Sequence, residues 1–394
     1  MSSAAFSTRK VVLGEVIDIR DGTHDTPAYV ESGIPLITSK NLSDGGLTFE
    51  SASFISEEDH AQISKRSGVQ KGDVLYGMIG TIGKPTLVEV DRAFSIKNIA
   101  LFKQAVGVVD SKYLRWLLDS PDVNAQIARV SKGGTQKFVA LGALRGLTAH
   151  LPPLEEQRRI AAILDQAETL RTQRRAALVQ LDSLTQALFF DMFGDPVENP
   201  KGVTVCELQK LCTRITDGTH QSPKWVELGV PFLFISNIVD GAITFDTHKF
   251  ISEETYFELT RRCPIEIGDV LYTTVGSYGN AAIVTDEKRF AFQRHIAHIK
   301  PDRSKTNSLF IAAMIQSIGV RRQVDKVAKG VAQKTVNLAD LKGLTVLAPP
   351  LALQQTFATR IQAIESLKTT HRTALSELDA LFASLQQRAF AGEL

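Results

Sequence analysis

The sequence predicts an α+β protein: two tandem-duplicated mixed α/β domains separated by two long antiparallel coiled-coil helices. Three observations carry this reading. The chain repeats itself at a nearly constant offset, an amphipathic segment fills residues 154–193, and a second copy of that segment, residues 351–390, closes the sequence.

The repeat comes first, because missing it would misread the whole fold. Residues 19–27 read IRDGTHDTP and residues 215–223 read ITDGTHQSP, 196 positions on. The same offset aligns Asn41 with Asn237, FISEE (54–58) with FISEE (250–254), and GDVLY (72–76) with GDVLY (268–272). One residue is inserted between FSIKNIA (94–100) and FAFQRHIA (290–297). Beyond it, Gln136-Lys137 matches Gln333-Lys334, and the Pro-Pro-Leu at 152–154 matches that at 349–351.

Each half then has one grammar. A turn-rich, strand-rich region of about 100 residues comes first, with GDVLY as a turn feeding a buried strand. Ser56 and Ser252 precede acidic residues and suit the N-cap of a short helix. Helical stretches follow at 113–130 and 310–327, the first with a break and restart expected at Ser120-Pro121. A polar loop, KGGTQKF or KGVAQKT, leads to a short strand and the Pro-Pro pair. The expected divisions are a first domain at 1–151, a helix at 152–194, a second domain at 195–348 and a helix at 349–394.

In the first long segment, apolar residues fall at Ile160, Ile163, Ala167, Leu170, Ala177, Leu181, Leu184 and Leu188, in steps of three and four with one site skipped at Arg174. That is the seam of a helix packing lengthwise on another. Pro152-Pro153 bars helix from upstream, and Gly194 with Pro196 stops it. Arg174 and His371 correspond under the repeat and sit near the midpoints of their helices. A polar seam residue fixes register at some cost in stability, so the pair is expected to set the register of the antiparallel helices.

Composition is that of an ordinary globular protein, 43% hydrophobic and 22% charged with a net charge of +2. No overall field demands a nucleic-acid or membrane partner, so nucleic-acid binding would need clustered basic residues or a partner supplying phosphate contacts. The start, MSSAAFSTRK, lacks a secretory apolar run, no 18-residue apolar stretch exists, and cytoplasm is the expected location. Cys206, Cys212 and Cys263 form no CxxC, which supports neither a zinc knuckle nor a redox motif, so no metal is expected.

Chemistry is not evident. The sequence holds no GxxxxGK[ST] phosphate loop, no strand–GxGxxG–helix unit, no HExxH and no GxSxG. Asp21/His24 and Asp217/His220 could be drawn as acid–base pairs, yet no nucleophile or metal set accompanies them and DGTH reads as an Asp-Gly turn. No catalytic residue and no cofactor are expected. The polar loops are more informative: DGTH, the Gly-rich GTIGK and GSYGN turns (80–84 and 276–280), KNIA/RHIA, and KGGTQK/KGVAQK occur once per half. Gly admits close backbone approach, and Thr, Lys, Asn, Gln and Arg contact phosphates and base edges.

In combination these features resemble the DNA-specificity subunit of type I restriction-modification systems over nearly the whole chain. The carriers are the duplicated DGTH-x-x-P, the repeated GDVLY, the run from G-x-x-Q into L-x-x-Pro-Pro-Leu-x-x-Gln (133–157 and 330–354), and the terminal QRAFAGEL. The resemblance implies two target-recognition domains, each reading half of a split double-stranded DNA site. It implies helices that set the gap and dock two subunits methylating adenine at N6. It further implies a separate motor-nuclease subunit, and no active site or membrane association for this chain. Alternatives are the recognition chain of a related enzyme with a fused nuclease, or a coiled-coil scaffold carrying two non-DNA binding domains. The second helix opens LALQQ where the first has LEEQR, and Arg388-Ala-Phe-Ala replaces Asp191-Met-Phe-Gly. Pseudo-symmetry is therefore imperfect at the helix ends, where the partners are expected to dock.

Duplication also separates scaffold from readout. Residues shared by both halves suit structure, phosphate or partner contact: Thr23, His24, Asn41, Gln136 and Lys137 with Thr219, His220, Asn237, Gln333 and Lys334. Residues that differ at matched positions suit base reading: Lys40, Thr81, Lys84, Lys97 and Asn98 in the first half. Their counterparts, after Ser236, are Ser277, Tyr278, Asn280, Gln293, Arg294 and His295. Arg–guanine and Asn or Gln–adenine pairing makes Arg294, Asn98, Asn280 and Gln293 the leading base readers.

Overall fold

A computed structural model describes residues 8–43, 46–133, 137–330 and 333–394. The chain divides into two compact units, residues 1–175 with 373–394 and residues 176–372. Each long helix thus gives one half to each unit.

In the first unit a four-stranded antiparallel sheet contains β1 (Ile19–Asp21), β2 (Val74–Gly77), β3 (Gly83–Leu87) and β4 (Ile99–Phe102), in the order β1-β4-β2-β3. GDVLY forms the turn into β2. Gly72 adopts φ +90°, and the buried Asp73 carboxylate accepts from the Gln70 backbone N–H at 2.7 Å and pairs with Lys103 at 2.7 Å. Both sheet faces are covered, so alternation along β2 and β4 sorts two apolar sets. Val74, Tyr76, Ala100 and Phe102 face the main core with Trp116 and Leu117, while Leu75, Ile99 and Leu101 pack with Ile37 and Phe94.

The second unit repeats this with β5 (Cys212–Asp217), β6 (Val270–Thr273), β7 (Ala281–Ile283) and β8 (Ile296–Pro301), in the order β5-β8-β6-β7. Ser56 and Ser252 accept from the Asp59 and Thr255 backbone N–H groups at 3.0 and 3.2 Å, the N-caps expected. The helical stretch 113–130 breaks at Ser120-Pro121 into Ser111–Leu118 and Pro121–Val130. The second half breaks at the same place without a proline, because Ser317 caps Ile318–Val327 through the Val320 N–H. Propensity is weak there, and the cap decides.

The long helices are α1 (Leu154–Phe193) and α2 (Leu351–Ala391). Their halves pack antiparallel within each unit: Arg171 bonds Asp379 at 2.6 Å in the first, and Lys368 bonds Asp182 at 2.9 Å in the second. The least exposed stripe of α1, buried as far as Ala167 and half-buried beyond it, shifts the seam read from sequence. It runs through Gln157, Ile160, Leu164, Ala167, Arg171, Arg174, Leu178, Leu181, Thr185 and Leu188, with Leu170 and Leu184 left 43% and 49% exposed and Ile163 half-buried. The two frames share Ile160, Ala167, Arg174, Leu181 and Leu188 and part where the structure turns in Leu164, Arg171 and Thr185; Gln157 and Arg171 are tolerated there because partners on the domain and the opposite helix satisfy them. Buried Gln157 accepts from the Asp110 N–H at 2.9 Å and donates to the Pro152 carbonyl at 2.9 Å. Buried Gln354 does the same with Asn307 and Pro349, at 3.0 and 2.8 Å.

The stripe at 171 and 368 is charged in both helices. Arg171 pairs with Glu168 and Asp379, its guanidinium 4.3 Å from the Phe382 ring centre. Lys368 pairs with Glu365 at 2.7 Å and Asp182 at 2.9 Å. Every member of one triad lies 197 positions from its counterpart in the other. These residues escaped the sequence reading, although starting the seam from the repeated glutamine would have found them.

Candidate nucleic-acid interface

In an antiparallel sheet alternate strand ends lie together, and here that geometry gathers the polar loops. The C-terminal ends of β1 and β2 and the N-terminal ends of β3 and β4 share one end of the sheet, as do the matching ends of β5 to β8. Backbone bonds tie the loops to one another. The Thr23 N–H donates to the Ile96 carbonyl, the Asn98 N–H to the Thr23 carbonyl, the Met78 N–H to the Asn98 carbonyl, and the Gly80 N–H to the Lys137 carbonyl, all at 3.0–3.3 Å. In the second unit Thr219, Arg294, Thr274 and Gly276 donate to Phe292, Thr219, His295 and Lys334.

That frame places the insertion at Asn98, whose two backbone bonds are divided in the second unit: the Arg294 N–H bonds the Thr219 carbonyl, and the His295 carbonyl accepts from Thr274 as that of Asn98 accepts from Met78. Two glycines show why the loops are built as they are. A Cβ on Gly22 would stand 2.3 Å from the Ile96 carbonyl oxygen, and one on Gly218 would stand 2.1 Å from that of Phe292. DGTH therefore needs its glycine so that the adjoining loop can cross it.

Electrostatics differ between the clusters. Asp21 is buried beneath the first loop and pairs with Arg66 and with His24 Nε2, the latter at 2.9 Å. Burial opposes its charge, but the bonds from His24 and Arg66 outweigh that and hold its carboxyl below the usual value. His24 Nδ1 donates to the Asn98 side-chain oxygen at 3.0 Å. Both ring nitrogens thus face acceptors, Asn98 first and Asp21 second, which raises the imidazole above its ordinary value of 6.5. His220 keeps the bond to Asp217 at 2.8 Å. His295 moves the opposite way, because burial and the neighbouring Arg294 both disfavour its charge.

Lys40, Thr81, Lys84 and Lys137 are exposed in the first cluster, with Thr23, Lys97 and Asn98 half-buried; Lys97 bonds the Thr26 hydroxyl. Ser277, Arg294, Gln333 and Lys334 are exposed in the second, with Thr219, Asn280, Gln293 and His295 half-buried. Three candidates turn inward. Asn41 and Asn237 are 3% exposed, and each accepts from its own loop (Thr38 N–H at 3.0 Å, Phe234 N–H at 2.9 Å), so both brace the turn from inside. Tyr278 is also buried, donating to Asp325 at 2.8 Å with Arg321 against its ring, which leaves Ser277 at the surface of that turn. A single sequence shows an Asn or Tyr in a loop but not the side it turns inward. Gln136 lies outside the described residues.

Among the described residues, no group of three or more His, Cys, Asp or Glu could hold a metal ion, and no helix is long and apolar enough to cross a membrane. What the two units present is one recognition platform made twice, with different side chains on a common backbone. Residues 8–180 and 200–380 each match the type I restriction modification DNA specificity domain, and the chain belongs to that family. It is 24% identical to the EcoBI specificity subunit of Escherichia coli over 89% of this chain and 83% of that one. It is 20% identical to the EcoKI specificity subunit of E. coli K12, over 92% and 82%. In fold it is similar to the type I restriction-modification S subunit of M. genitalium (TM-score 0.60, 13% identity, 99% and 98% covered). It is likewise similar to a chain from the type I R-M system studied for complex assembly and conformational transition (TM-score 0.58, 19% identity, 98% of each covered). The chain is a specificity component and not a catalyst.

Proposed function

We propose that the two loop clusters each read one half of a bipartite double-stranded DNA target. The observation that carries this is the duplicated frame: identical backbone bonding at Thr23/Thr219, with Lys97-Asn98 exchanged for Gln293-Arg294. Shared atoms hold position and differing side chains carry sequence, which is the division of labour in DNA readout. The reading domains are residues 1–151 and 195–348, and the helices of 152–194 and 349–394 set the gap.

The first cluster offers Lys40, Lys84, Lys97 and Lys137 where the second offers Ser236, Asn280, Gln293 and Lys334. The first half-site should therefore contribute most of the salt dependence. Arg174 and His371 occupy half-buried seam positions and serve the register of the helix pair. Making both Leu without changing register or target would count against that role.

Partner docking follows from the corrected seam. Leu170 and Leu381 in the first unit, and Leu184 and Leu367 in the second, each immediately precede a seam residue and are 43–52% exposed. In an antiparallel pair, residues at that flanking position lie on the same side, so each unit offers a two-leucine strip. We assign these strips to helices of two adenine-N6 methyltransferase subunits, with a motor-nuclease subunit joining the full complex. Methylation mapping of host DNA with and without this chain tests the function: a bipartite adenine motif should appear with it. Exchanging residues 97–98 for 293–295 should change one half of that motif and leave the gap alone.

A further inference from the structure

The second unit holds a titratable cluster that DNA reading does not use. His298, on β8, is 1% exposed and lies between two groups. Its Nε2 meets Asp269 Oδ2 at 2.6 Å, and its Nδ1 meets Cys263 Sγ at 3.4 Å. Asp269, 3% exposed, also accepts from the Glu266 N–H at 2.8 Å and pairs with Lys300 at 2.9 Å. Cys263 itself is half-buried. A thiol reachable from solvent thus has an imidazole behind it, and a buried carboxylate orients that imidazole. This is the nucleophile–base–orienter arrangement.

The first unit supplies an internal control. Asp73 and Lys103 repeat Asp269 and Lys300, but Ser67 and Leu101 stand where Cys263 and His298 stand. The fold therefore needs the Asp–Lys pair and not the Cys–His pair. Positive charge surrounds the sulfur: His298 and Lys300 from β8 and Arg214 from β5 favour the thiolate, with Asp269 and Glu266 as their counter-charges.

We propose that Cys263 is a nucleophilic thiolate site, oriented by His298 and Asp269, that takes small anionic disulfides. The Cys263 sulfur attacks one sulfur of the disulfide, a new S–S bond forms, and the old one breaks. The departing half leaves as a thiolate that takes up a proton from solvent, so no further oxidant enters. Burial alone would suppress ionisation of Cys263, but the bond from His298, with Lys300 and Arg214, overrides it. Cys212 is pushed up to about 12 by burial, and Cys206 is raised by it too, so the same chain carries two unreactive references.

The test treats the full-length protein with dithiobis(nitrobenzoate), an anionic disulfide, and follows each cysteine by peptide mass spectrometry. Cys263 should label at least about tenfold faster than Cys206 at pH 7. Its rate should fall less steeply from pH 9 to 7 than that of Cys206, because a thiol lowered below its ordinary value keeps more of its thiolate as pH drops. His298→Leu should restore the steeper fall. If the variant does not fold, the wild-type pH profile and the internal comparison decide alone. Labelling no faster than Cys206, or an ordinary thiol profile, overturns the site. Equal enhancement with neutral dithiodipyridine overturns its anion preference.

Discussion

Lys368 allows a prediction whose sign follows from which partner is buried. Its side chain is 6% exposed, whereas those of Asp182 and Glu365 are 65% and 46% exposed. Removing the lysine leaves two carboxylates that can rehydrate where they stand. Lys368→Met keeps most of the buried stem, so its cost should be within about 0.5 kcal/mol of zero, since a well-packed apolar replacement for a buried charge is often neutral or better. Removing both acids leaves the ammonium in the seam with the Thr185 hydroxyl, at 3.3 Å, as a hydrogen-bond partner. Two solvent-screened pairs contribute about 0.5–1 kcal/mol each, and the stranded cation adds the loss of its charged hydrogen bonds. Asp182→Ala with Glu365→Ala should therefore destabilise by about 2–3 kcal/mol. Alanine raises helix propensity at both sites, so the observed loss is a lower bound. The assay is urea unfolding of the full chain followed by a probe in the second unit, with the triple variant closing the cycle. Lys368→Met costing as much as the double acid variant would refute the reasoning, as would a triple variant no more stable than the double.

Other consequences are as direct. Gln157→Leu and Gln354→Leu should each cost about 1–3 kcal/mol in urea unfolding, because buried backbone groups of Asp110 and Pro152, or Asn307 and Pro349, lose their partners. Arg294→Ala should cost about 1–3 kcal/mol at one base pair in binding by the assembled complex; a uniform loss across sequences would make it a phosphate contact. His24 should titrate above 6.5 by NMR, and Asn98→Ala should lower that midpoint. A raised pKa means the stabilisation is complete below the ordinary value and is lost as pH rises through the folded one. The first loop should therefore loosen as pH rises above 6.5 and through the raised midpoint of His24. Leu170→Glu with Leu381→Glu should abolish capture of a methyltransferase subunit at the first unit while leaving the protein folded, as gel filtration would show.

Much of the fold was legible because the evidence was local or repeated. GDVLY predicts a turn and a buried strand wherever it stands, Ser before acids predicts a cap, and proline pairs mark helix starts. The seam frame was misread because Arg171 and Lys368 look like surface residues until Asp379 and Asp182 are found some 200 positions away. That Asn41, Asn237 and Tyr278 turn inward was not legible for a related reason, since a polar side chain in a loop can be spent inside it.

The amino-acid sequence by itself determined the duplication, the element order in each half, the two long helices and the polar loops that form the candidate interface, because each is written in periodicity or repetition. Tertiary structure decided which face of each helix is buried, that Arg294 and His295 share between them the backbone bonds of Asn98, and that Cys263 meets His298. Those are pairings between distant strands and helices. Their energies depend on who stands opposite, and no window of a single sequence contains both partners.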